Sequence, residues 1–162
     1  MANESQLISK PDQQNYTIIR EFSASREKIF MAFTKPELYV RWFMPAELKM
    51  VVESMDAVTG GSYKHTHYHS NKAYSFCGVF NEVIAPELII KTSEFIGLPV
   101  KVQPVLELIQ FDSISEDRTR VIIEVVCASV TQRDAMVNAG MKPTLDITHQ
   151  QLDALLSQYI SR

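Results

Sequence analysis

Apolar and polar positions change their spacing twice along the chain. Tyr16, Ile18, Arg20 and Phe22 alternate against Thr17, Ile19 and Glu21, a period of two that predicts a strand. Ser25 then stands where a helix N-cap belongs, with Ile29, Phe30 and Phe33 at helical spacing behind it. Pro36 opens a second short helix carrying Leu38, Tyr39 and Trp42, and Pro45 is expected to end it. Six strands are predicted next, over 48–55, 62–69, 74–84, 88–95, 102–114 and 120–128. Gly60-Gly61, Ala85-Pro86, Gly97-Leu98-Pro99 and Ser115-Glu116-Asp117-Arg118 mark turns between them. The period then returns to 3.6. Thr131-Gln132-Arg133-Asp134 reads as a variant capping box, and a long helix over about 143–159 carries Leu145, Thr148, Leu152, Leu155, Leu156 and Tyr159 as one apolar stripe.

Strands this close together imply an antiparallel sheet, because parallel pairs need long crossovers. The predicted fold class is α+β: a curved antiparallel sheet of about six or seven strands gripping the C-terminal helix, with two short helices after the first strand. Where a bent sheet and a helix do not fill the space between them, an apolar cavity opens, and such cavities take apolar ligands. Residues 1–14 are polar and read as a flexible tail, leaving 15–162 as a single domain.

Composition excludes several classes. The 162 residues are 46% hydrophobic and 22% charged, with a net charge of −3, which suits one globular core. The absence of a basic cluster argues against nucleic acid. No apolar run reaches the roughly 18–20 residues of a bilayer span, and the N-terminus shows no secretory signal. A cytoplasmic location is expected. Cys77 and Cys127 read as reduced, buried thiols.

An ordered set of motifs resembles a known family. It runs Arg20-Glu21-Phe22, Ile29-Phe30, Ala32-Phe33-Thr34, Pro36-Glu37-Leu38, Arg41-Trp42 and Gly60-Gly61-Ser62-Tyr63, then Phe76 to Val83, Pro86-Glu87-Leu88-Ile89, Arg133-Asp134-Ala135 and Gly140-Met141. In order and spacing these are similar to the bacterial relatives of the activator of heat-shock protein ATPase, the AHSA-type branch of the START-like, or SRPBCC, superfamily. The resemblance covers about 16–160. It implies the helix-grip fold, also called birch-pollen-allergen-like, with a deep cavity between sheet and C-terminal helix. Across that superfamily the cavity serves lipid carriage, hormone binding, polyketide cyclisation and oxygenase domains, so fold does not fix function. Where the family has a second glycine and a bulky aromatic after Gly140-Met141, this chain has Thr144 and Leu145.

The run Lys64-His65-Thr66-His67-Tyr68-His69 carries the most unusual chemistry. On a strand, His65, His67 and His69 share a face with Tyr63. Adjacent members of the set stand about 7 Å apart and the outer two about 13 Å, so a metal would need a third ligand such as Glu53 or Glu82. Matching the family motif puts His65 and His67 on the cavity face. They are expected to line the pocket, with metal binding or proton transfer as alternatives, and His69 to lie in solvent at the strand end. Trp42 either closes the cavity or belongs to the core. Phe76, Gly78 and Phe80 share one face and are placed inward, Gly78 leaving room for a ligand or for sheet curvature. Glu53, Glu94, Glu107 and Glu124 are expected on the wet face of the sheet, because an unpaired buried carboxylate is costly; an acid inside the pocket would be a candidate general acid.

The expected ligand pocket is therefore Trp42, Tyr63, His65, His67, Phe76, Gly78, Phe80, Met141, Leu145 and Leu152. The expected function is non-enzymatic binding of a small apolar or amphipathic ligand, with no catalytic residue, metal or cofactor required. The alternatives are a cyclase- or dehydratase-like enzyme using His65 or His67, and a protein-interaction module. A homodimer is compatible with either role.

Overall fold

The computed structural model describes residues 3–99 and 101–160. It contains one eight-stranded sheet in which every neighbouring pair is antiparallel. In chain order the elements are β1 (Gln6–Ser9), β2 (Asn15–Phe22), α1 (Arg26–Thr34), α2 (Pro36–Tyr39) and β3 (Lys49–Met55), followed by β4 (Ser62–His69), β5 (Lys72–Ile84), β6 (Leu88–Ile96), β7 (Val105–Ser115), β8 (Arg118–Val126), α3 (Val130–Val137) and α4 (Met141–Ile160). The spatial order is β1-β2-β8-β7-β6-β5-β4-β3, so chain neighbours are sheet neighbours everywhere except where β8 returns to pair with β2.

The inward face of the sheet follows from period-two patterning. On β2, Tyr16, Ile18, Arg20 and Phe22 are all buried, as their alternation predicts. The main core joins Phe22, Ile29, Phe30, Phe33, Phe111 and Val121 to Leu152, Leu155 and Leu156 of α4. Phe30 and Phe33 each meet Phe111 edge-on at 5.2 Å between ring centroids. The apolar stripe of α4 thus closes over the inward face of the sheet, which is the helix-grip arrangement. The side chain of Tyr159, the last member of the expected stripe, lies outside the described residues.

Four expectations change. The segment read as a loose tail holds β1, which pairs with β2 through Leu7 opposite Ile18; Ser5 beside it is buried. The strand count rises to eight for that reason. Helix α2 ends at Tyr39, and Trp42 follows it in a turn, its indole Nε1 donating to the Ala32 carbonyl at 2.8 Å. The helix cap sits two residues earlier than Thr131. Ser129 Oγ accepts from the Gln132 amide at 3.1 Å, and Gln132 Oε1 accepts from the Ala128 amide at 2.8 Å. Helix α4 begins at Met141, before Pro143, because a proline in the first turn forfeits only an amide that has no intrahelical partner. Gly140, at φ +78°, makes the break from α3.

Of the cysteines, Cys127 is buried and Cys77 only half-buried, and both are free thiols. No described helix is long and apolar enough to cross a membrane.

Candidate functional site

Two cross-strand rows build the floor of the site. Register places Ile18, Ile123, Ile109 and Ile89 side by side across β2, β8, β7 and β6. One step along the same face, Tyr16, Val125, Glu107, Lys91 and Phe80 stand in line from β2 to β5. The first row is wholly apolar. The second carries an ion pair at its centre, Lys91 Nζ lying 3.6 Å from Glu107 Oε2.

Above these rows lies a cavity of about 200 Å³ between sheet and helix. Its sheet wall is Tyr16, Ile18, Ile109, Ile123 and Val125 with Lys91 and Glu107; its helix wall is Met141, Thr144, Leu145, Thr148 and His149 of α4. Phe33, Tyr39, Trp42, Phe43 and Met44 complete it from the α1–α2 side. An apolar shell with few polar groups is what a small-molecule site requires.

Lys91 is 6% exposed. Its ammonium lies 4.9 Å from the Tyr63 ring centroid, 5.4 Å from that of Tyr39 and 6.0 Å from those of Phe43 and Phe80. Aromatic faces attract a cation at such distances, so four rings and a carboxylate fix its position. Among the described residues the buried Tyr39 hydroxyl has no hydrogen-bond partner, and burial raises its pKa, reinforced by the Glu107 and Tyr63 charges.

The residues 23–157 match the family model described as activator of Hsp90 ATPase homolog 1-like protein. The chain belongs to this family. It is an AHSA-type protein of the START-like superfamily. Its fold is shared with a crystal structure from Rhodobacter sphaeroides at TM-score 0.85 and 19% identity, covering 96% of this chain and 99% of that one. A solution structure from Staphylococcus epidermidis gives TM-score 0.83 at 23% identity, covering 95% and 94%. One from Arthrobacter aurescens gives 0.84 at 21%, covering 94% and 91%. A search of curated protein sequences finds no match.

Within this AHSA-type frame the ten expected pocket residues divide into groups. Trp42, Met141 and Leu145 line the cavity. Tyr63, Phe80 and Leu152 are packed in the core. Gly78 gives space to protein atoms: a Cβ there would stand 1.9 Å from the Thr92 carbonyl oxygen and 2.8 Å from Tyr63 Cε1. The Tyr63 hydroxyl donates to that same carbonyl at 2.6 Å.

His65 and His67 are buried on the inward face of β4, as the family resemblance implies, but neither lines the cavity. Their rings stack at 4.8 Å, and one ring nitrogen donates to the other, His65 Nδ1 to His67 Nε2 being 2.7 Å apart. Burial lowers the His65 pKa to about 3, helped by the charges of His67 and Lys91, and lowers that of His67 to about 4. Both are neutral at pH 7. His67 and Phe76 instead line an open groove of about 460 Å³ with Tyr74, Phe95 and the exposed His69. Among the described residues, no three His, Cys, Asp or Glu side chains are grouped to hold a metal ion.

Glu107 departs from the expectation for mid-strand acids: it faces the cavity because Lys91 opposite supplies a counter-charge. Glu53 and Glu94 face outward, paired with Lys64 and Lys101, and Glu124 accepts from Asn15. Sequence reasoning also passed over His149. Its Nδ1 is 2.5 Å from Ser5 Oγ, and burial lowers its pKa to about 4. A helical signal was present, since His149, Leu152 and Leu156 fall at i, i+3 and i+7. Lys91 had only the parity it shares with Ile89.

Proposed function

We propose that this chain binds a small apolar or amphipathic molecule between the sheet and α4 without chemically changing it. The observation that carries the reading is the cavity itself: about 200 Å³, lined mainly by aliphatic and aromatic side chains, with one ion pair on its floor and Thr144, Thr148 and His149 on its helix side. Affinity would come from apolar burial at about 25 cal/mol per Å², and the polar pair would orient the ligand. Membership of a START-like family supports the reading. So does the separation of His65 and His67, the proton-transfer candidates, which bond to each other and stand outside the cavity.

Ethylbenzene serves as a first probe. A ligand that binds only the folded protein stabilises it in proportion to its occupancy. Ethylbenzene should raise the melting temperature of the unmodified protein and leave that of Leu145→Trp, whose indole fills the cavity, unchanged. Equal responses from the two proteins would refute the site.

A further inference from the structure

The geometry points to a ligand class for this cavity: a neutral, single-ring-sized molecule bearing one hydroxyl group, which bridges Lys91 and Glu107. This rests on the binding reading above and narrows it.

The argument begins with hydrogen-bonding capacity left unused. Among the described residues the Lys91 ammonium makes no hydrogen bond; its nearest carboxylate oxygen, on Glu107, is 3.6 Å away. The aromatic rings around it attract its charge but accept no strong hydrogen bond. The Glu107 side chain likewise makes no hydrogen bond, although it is only 23% exposed. An ammonium has three donors and a carboxylate about four acceptor positions. Both groups face the cavity, so whatever fills it supplies their remaining partners. For stability alone, two well-packed apolar side chains would serve as well as such a pair. Here the pair sits on the wall of a cavity with its donors and acceptors unspent, beside the unpartnered Tyr39 hydroxyl.

Four head groups can be weighed against that pair. A carboxylate offers only acceptors and would bring a second negative charge against Glu107. An ammonium offers only donors and would bring a second cation against Lys91. A carbonyl would satisfy Lys91 and leave Glu107 without a donor. A hydroxyl both accepts and donates. Its oxygen, about 2.8 Å from the nitrogen and about 2.7 Å from the carboxylate oxygen, closes a triangle on the 3.6 Å pair. It also adds no charge to a site whose own charges cancel.

The remainder of the ligand is set by volume and lining. An engineered apolar cavity of about 150 Å³ admits benzene, so about 200 Å³ takes one ring with a short substituent. Ile18, Ile109, Ile123, Val125 and Leu145 give that portion no polar partner. A substituted phenol or a cyclic alcohol has the required form.

The test compares three probes of one shape by titration calorimetry at pH 7: ethylbenzene, 4-ethylphenol and 4-ethylbenzoate. Hydrogen bonds to charged groups are stronger than neutral ones, so 4-ethylphenol should bind about tenfold more tightly than ethylbenzene, and 4-ethylbenzoate most weakly. The double variant Lys91→Met/Glu107→Leu replaces the pair by apolar groups and leaves no charge unpaired. It should bind ethylbenzene at least as tightly as the unmodified protein and reduce the 4-ethylphenol advantage below twofold. Equal affinity for ethylbenzene and 4-ethylphenol in the unmodified protein would overturn the hydroxyl class and leave the apolar site standing. An advantage that survives in the double variant would also overturn it. Failure of all three probes to bind would remove the binding reading and this inference with it.

Discussion

The Arg20 guanidinium of β2 holds the Asp153 carboxylate of α4 by two parallel hydrogen bonds, of 2.8 and 2.7 Å. The same guanidinium donates to the Asn3 carbonyl at 2.9 Å and lies 4.8 Å from the Phe22 ring centroid. One side chain therefore ties the N-terminal segment, the sheet and the gripping helix together. Its side chain is 4% exposed against 42% for Asp153, so the arginine has far more to lose from a broken pair.

Asp153→Ala should destabilise the fold by about 2 kcal/mol. Removing one partner of a buried pair costs about 3–5 kcal/mol, and the exposure of Asp153 lets water replace part of the loss. Arg20→Met with Asp153→Leu should recover at least half of it, since no charge is then left unpaired. Urea unfolding of the three proteins checks this; a loss below about 0.5 kcal/mol in Asp153→Ala would place the pair among ordinary surface bridges.

Gly78 is required by packing between β4, β5 and β6. A methyl group there would overlap the Thr92 carbonyl and press on Tyr63, and backbone cannot move aside as a flexible side chain can. Gly78→Ala should cost at least about 2 kcal/mol, in the range of overpacked cores. Tyr63→Phe, which loses the 2.6 Å bond to that carbonyl, should cost about 1 kcal/mol. Thermal melts that rank the two the other way would show that the strands slide to admit the methyl group.

How far the sequence could be read depended on whether an element's pattern was its own. The β2 alternation, the Ser25 cap and the α4 stripe are local; the first two stand as expected, and so does the stripe as far as Leu156. β1 is not local. Gln6–Ser9 has no distinct period and becomes a strand because β2 offers it an edge. The cavity floor was hidden for a related reason. Val105 to Ile109 is apolar on both parities around Glu107, so its inward face is decided by the strands beside it. Lys91 and Glu107 lie sixteen positions apart and meet only through register. The family motifs carried the fold to the right answer, but they contain neither residue of the pair.

Ser129, rather than Thr131, starts α3. Ser129→Ala removes the acceptor for the Gln132 amide and should cost about 1 kcal/mol, as helix caps commonly do. Thr131→Ala should change stability by less than about 0.5 kcal/mol, since it falls inside the first turn. Denaturant midpoints separate the two, and equal losses would remove the distinction.

Three buried histidines make stability depend on acid. His65, His67 and His149 have pKa values lowered to about 3, 4 and 4, chiefly by desolvation, against about 6.5 in the unfolded chain. For His149, Arg20 and Lys142 lower the value further and Asp146 opposes them. A depressed histidine pKa means that the unfolded state binds the proton first. The stabilisation is therefore full above about pH 6.5 and is lost as pH falls toward 4. Between pH 7 and pH 5 each such group should cost the fold about 2 kcal/mol. His149→Gln, which keeps a polar group beside Ser5, should remove about one proton from the slope of stability against pH in that interval. Urea midpoints from pH 7 to pH 5 give the slope directly. A variant that keeps the full slope would mean that His149 takes up its proton without unfolding the protein, and that the Ser5 contact of α4 yields to acid before the core does.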